Sequence, residues 1–119
     1  NTGVIASDST TGNATSRTQG AGCTFGEDRG ILMTGSQNQS NIVSNTGVIA
    51  DDVSFSGTAR ISLAACGFGG DKGIIAFGNG SPQLGISNTI NNSGTVSSDV
   101  AKVDGVTAKQ TEQACSFGN

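Results

Sequence analysis

A chain of 119 residues has room for one domain or one short array, and its apolar share of 34%, with no Trp, Tyr or His, excludes a conventional aromatic core. Six basic against nine acidic residues leave a net charge of −3, too small to force the chain open and of the wrong sign to attract nucleic acid or an anionic membrane. No apolar stretch approaches bilayer-spanning length, so membrane insertion is not expected either.

The first element is "NTGVIA" at 1–6, which returns letter for letter at 45–50. The flanks return with it. Asp8, Gly12, Ala14 and Arg17 are followed by "GCTFGEDRGILMTG"; Asp52, Gly57, Ala59 and Arg60 are followed by "ACGFGGDKGIIAFG". A degraded third copy runs "NSGTVSSD" at 92–99 and closes on "ACSFGN" at 114–119. Landmarks recur 44 residues apart from Asn1 to Asn45, 43 from Cys23 to Cys66, 47 from Gly47 to Gly94 and 49 from Cys66 to Cys115, the spacing of a repeat architecture. The joins recur too, "SNIVSNTG" at 40–47 matching "SNTINNSG" at 87–94. The expectation is a single repeat domain over 1–119, with repeats at about 1–39, 40–86 and 87–119.

In the middle copy Val53, Phe55, Ala59, Ile61, Leu63 and Ala65 hold odd positions while Ser54, Ser56, Thr58, Arg60 and Ser62 hold even ones. Period two predicts a strand over 53–65, bent at Gly57. The phase then changes at Cys66 and Phe68, predicting a corner near "AAC", a turn through "GFGGDKG" and a short apolar strand at 74–77. Nineteen glycines and many Ser, Thr and Asn residues suit the same picture of short strands and tight corners. The fold class is therefore all-β, built of three imperfect repeats. It is either β-solenoid-like or a cross-β stack, in which equivalent residues lie above one another, or a pilin-like β-sandwich with pseudo-symmetric parts.

Cys23, Cys66 and Cys115 occupy equivalent places, each two residues before Phe25, Phe68 or Phe117. In an extended segment a Cys and the Phe two residues on share a face, which makes each pair a buried packing element. A disulfide between two stacked layers, with a third thiol left to link subunits, is the other reading. Cysteines so far apart, in a chain without His, make no metal site. "GEDRG" at 26–30 and "GGDKG" at 69–73 place Asp28 and Asp71 in matching turns, where Asp accepts backbone N–H groups and Gly takes positive φ; one recurring carboxylate per loop is too few for calcium. "GFGGDKG" lacks the ending and helix of a phosphate loop. Glu27–Asp28 and Asp51–Asp52 are strand neighbours that point to opposite faces, and no Ser or Cys has a His base. No catalytic residue and no cofactor is expected, so the chain reads as a non-enzyme. Asn-x-Ser/Thr sequons begin at Asn13, Asn38, Asn79 and Asn91, where a Ser/Thr-rich chain produces about two by accident, so they are a weak signal for glycosylation.

A layered β unit exposes unpaired main-chain groups at its extremities and invites another copy of itself. The expected assembly ends are Asn1, Thr2, Gly3, Val4 and Ile5 at one end and Ser116, Phe117, Gly118 and Asn119 at the other. An Asn rather than Met at position 1 suggests export followed by removal of a leader, hence an extracellular or cell-surface protein.

The Asn/Ser/Gly-rich units, "NQSN" at 38–41 and "GTARISLAAC" at 57–66 resemble the imperfect repeats of bacterial functional amyloids of the curlin and Fap type. That resemblance implies a secreted subunit that assembles head to tail with itself into a β-rich fibre of a biofilm matrix or cell surface, touches surfaces or matrix, and has no active site. Two alternatives stay open: a monomeric β-solenoid binding module of adhesin or ice-binding type, and a donor-strand pilin.

Overall fold

The computed structural model of the protein describes residues 18–33, 37–80, 85–101, 107 and 114–115. Among these residues it is all-β, with no helix. The strands are β1 (Ala21–Phe25), β2 (Arg29–Met33), β3 (Gln39–Val43), β4 (Val53–Ser54), β5 (Ala64–Phe68), β6 (Lys72–Ala76), β7 (Ile86–Ile90) and β8 (Val100–Ala101). They form two four-stranded antiparallel sheets, β1-β2-β3-β4 and β5-β6-β7-β8, each in chain order without a crossover.

The two sheets have the same register. Cys23 opposes Ile31 as Cys66 opposes Ile74, Gly30 opposes Val43 as Gly73 opposes Ile90, and Gln39 opposes Ser54 as Ile86 opposes Ala101. The backbone repeats in its unusual conformations as well. Positive φ falls at Gln19 and Ser62, Gly26 and Gly69, Glu27 and Gly70, and Gly47 and Gly94. Each pair is one position of the two sequence copies, so both copies turn at the same places, with glycine in both copies at Gly26 and Gly69 and at Gly47 and Gly94. Each sheet straddles a boundary between sequence copies: in the first, β1 and β2 precede residue 40, β3 runs across it and β4 follows it.

The sheets lie face to face, with β1 over β5 and β6. Phe25, Ile31 and Met33 from the first sheet and Ile75 and Ile90 from the second share one core with Leu63 and Val96. Alternation along the strands shows which faces meet. The first sheet turns inward the side bearing Cys23, Phe25 and Ile31. The second turns inward the opposite side in register, bearing Ala65, Gly73, Ile75 and Asn88, and holds Cys66, Phe68 and Ile74 outward. Approach is close at Gly73, where a Cβ would stand 2.6 Å from the Cys23 sulfur.

Two local expectations are corrected. The strand expected over 53–65 is paired only at its two ends, Val53–Ser54 in β4 and Ala64–Ala65 in β5; residues 55–63 cross from one sheet to the next, touching strand geometry between those ends only where Ile61 bridges Asn79. A crossing segment has no sheet neighbour to hold its alternation, and Arg60 is buried in it while Ala59 is exposed. The corner expected near "AAC" is also absent, because β5 runs straight through Ala64–Phe68; the phase changes earlier, at Ser62 with φ 56°. Main-chain pairing runs within each sheet. Among the described residues two backbone bonds join the sheets, Gly26 N–H to the Asp71 carbonyl (2.7 Å) and Ser62 N–H to the Gln19 carbonyl (3.1 Å).

Candidate functional site

The excursion after β3 and its counterpart after β7 each fold back onto a buried asparagine. Asn41 donates through Nδ2 to the Ala50 carbonyl (2.9 Å) and to Asp52 Oδ1 (2.9 Å). Asn88, 47 residues on, donates to the Ser97 carbonyl (3.0 Å) and to Asp99 Oδ1 (2.9 Å). In the second sheet the crossing segment completes the network. Arg60, 4% exposed, donates from Nη2 to Asn88 Oδ1 (2.7 Å), from Nε to the Phe77 carbonyl (2.6 Å) and from Nη1 to the Thr58 carbonyl (3.1 Å). Asp99 accepts from the Thr58 amide (3.0 Å) and hydroxyl (2.5 Å) and lies 3.9 Å from the guanidinium. Burial lowers the Arg60 pKa, and the Asp99 charge opposes that shift. Burial alone would raise the Asp99 carboxyl; hydrogen bonds from Thr58 and Asn88 and the Arg60 charge outweigh it and hold the group below its ordinary value. The arrangement pins crossing segment to sheet and leaves its polar groups satisfied.

Sequence reasoning missed this network because it placed Arg60 on the polar side of a strand and read Asp51–Asp52 as a carboxylate pair. The signal was present in the spacing. Arg60 stands six residues before Cys66 as Arg17 does before Cys23 and Lys109 before Cys115, while Asn41, Asp52, Asn88 and Asp99 keep the 47-residue offset. Arg17 and Lys109 lie outside the described residues.

The expected packing pair Cys23 and Phe25 shares the inner face. Burial, with a smaller contribution from nearby Cys66, pushes the Cys23 thiol up to about 11. The Arg29 guanidinium sits 5.0 Å from the centre of the Phe25 ring. Cys66 and Phe68 share the opposite, outer face, so the backbone of the second sheet separates the two sulfurs. Cys23, Cys66 and the exposed Cys115 are all free thiols, and the disulfide reading finds no bridge within the chain. Asp28 and Asp71 do occupy matching turns, but their carboxylates take the side chains of Asn45 (2.8 Å) and Lys72 (2.6 Å). Phe117 and the expected ends, Asn1, Thr2, Gly3, Val4, Ile5, Ser116, Gly118 and Asn119, lie outside the described residues.

Equivalent positions differ most in burial across the outer faces. Phe25 is 1% exposed and Phe68 38%; Ile75 is 1% exposed and Leu32, its counterpart, 43%. The first sheet therefore shows outward the side that the second sheet buries, and the second shows outward the side that the first buries. No family model and no curated protein matches the chain.

Proposed function

We infer that the chain is an extracellular structural protein whose repeats stack in layers and which assembles head to tail with itself into a β-rich fibre of a matrix or cell surface. The observation that carries this reading is the contact between unlike faces of two like-registered sheets. A contact of that type is heterologous, and unless rotation closes it into a ring it continues. The coincident φ angles support a repeating, solenoid-like layer, and the backbone bond from Ser62 to Gln19 joins the same position of successive copies. Pairing within sheets favours stacked sheets over a cross-β ladder running along the stack, and chain-order meanders do not favour a pilin-like sandwich with exchanged strands. The resemblance to curlin and Fap-type repeats points to the same role and to an exported product.

The test is light scattering after size exclusion, with negative-stain microscopy, on the purified full chain at about 100 µM, a concentration at which even contacts of about 6 kcal/mol assemble. Unbranched filaments are the expected result. A chain that stays monomeric under these conditions overturns the reading.

A further inference from the structure

Three glycines are crowded in one copy and open in the other. A Cβ at Gly73 would meet the Cys23 sulfur at 2.6 Å, whereas at Gly30, its counterpart, the nearest atom is the Val43 Cβ at 3.6 Å. A Cβ at Gly94 would stand 3.0 Å from the Phe25 ring, but at Gly47 nothing lies within 4 Å. At Gly26 it would stand 2.8 Å from the Asn92 carbonyl, and at Gly69 again nothing lies within 4 Å. Gly47 and Gly69 are required by their positive φ. Gly30 has no such requirement: it sits in a strand at ordinary φ, with space for a side chain, where glycine weakens the strand.

We propose that the outer face of the second sheet, bearing Cys66 and Phe68, receives the outer face of the first sheet of a second copy of this chain, bearing Gly30 and Leu32, in the register of the contact between the two sheets. The occupant follows from the internal contact, whose two halves are repeated on the outside and left facing away from each other. Cys66 seats over Gly30 of the incoming copy as Cys23 seats over Gly73. Phe68 packs beside Gly47 as Phe25 packs beside Gly94, and Leu32 fills the place that Ile75 holds within the chain. The hydrogen bonds translate as well. Arg29 Nη2 donates to the Asn92 carbonyl (2.8 Å), and Lys72, the corresponding base, is placed to donate to the Asn45 carbonyl of the incoming copy. The open glycine at position 30 is thereby explained by a neighbour outside the chain.

This inference rests on the self-assembly reading, and its test separates the two. Full chains of wild type, Gly30→Leu and Phe68→Asp are compared by pelleting and negative-stain microscopy, by circular-dichroism melting of the dispersed chain, and by iodoacetamide alkylation of Cys66 read by mass spectrometry. Expected are filaments from wild type alone, melting of Gly30→Leu within a few degrees of wild type, and Cys66 alkylation slowed at least tenfold on assembly. If Gly30→Leu fails to fold, Phe68→Asp, altered at an already exposed position, decides the matter by the same readouts. Filaments that form equally from the variants, with Cys66 still reactive, overturn the face assignment and leave self-assembly standing. A monomeric wild type overturns both, including the case in which Cys66 is protected there by the chain's own terminal residues.

Discussion

Arg60 is a charged residue that folding takes almost wholly out of water, and its surroundings decide what its loss costs. Arg60→Met keeps the aliphatic stem and leaves Asn88 Oδ1 and the Phe77 carbonyl without their donor, for a loss of about 3 kcal/mol in a denaturant titration. Asp99 gives the network a pH dependence. Its carboxyl titrates lower in the folded than in the unfolded chain, so its contribution is present above about pH 4 and is lost as pH falls through the folded value. Melting temperature drops across that window, and Asp99→Asn removes the part of the drop due to this group. At Cys23 the shift runs the other way: with a pKa of about 11, on the order of one thiol in a thousand is ionised at pH 8, and alkylation is slower there than at exposed Cys115. What was legible at this scale was residue type at equivalent positions, including the inward Cys23–Phe25 pair. Burial was not, because Cys66 and Phe68 repeat the letters of Cys23 and Phe25 on a face that points outward.

At the scale of elements, both β1–β2 and β5–β6 hairpins turn through two consecutive left-handed residues, Gly26–Glu27 in one and Gly69–Gly70 in the other. Glu27 carries a Cβ in a conformation that costs L-residues about 1 kcal/mol or more, and its counterpart is already glycine. Glu27→Gly is therefore expected to raise the stability of the dispersed chain by up to about 1 kcal/mol, read as a shift in denaturation midpoint. The paired glycines offer a sharper contrast. Gly73→Val forces its Cβ against the Cys23 sulfur and Ile90 and costs about 2 kcal/mol, while at Gly30 a Cβ makes ordinary contact with Val43 at 3.6 Å, and Gly30→Val stays within about 0.5 kcal/mol in the dispersed chain. Hairpins built on "GEDRG" and "GGDKG" were readable from the turn chemistry. The segment 53–65 was not, since period two marks an extended backbone without saying whether a neighbouring strand is there to pair with it. A crossing between sheets is as extended as a strand, and here Ser62 at positive φ and buried Arg60 reset the alternation.

For the whole molecule, the 43- and 47-residue offsets in the sequence reappear as two sheets of identical register, and all-β structure was legible from the period-two alternation and the glycine turns. The face that each sheet turns inward was not, because the two sheets turn opposite sides of one register toward their contact, and the repeated letters do not say which side each turns. Among the described residues, main-chain bonds lie within the sheets, and only side chains, two backbone bonds and the crossing at 55–63 run from one sheet to the other. Load applied end to end thus bears on the weaker set of contacts. A single chain pulled in an optical trap should part in two steps, one per sheet, each releasing on the order of 10 nm of polypeptide. A fibre assembled as proposed would yield by peeling and recover by re-stacking, its links protected from rupture by the layers that slide off first.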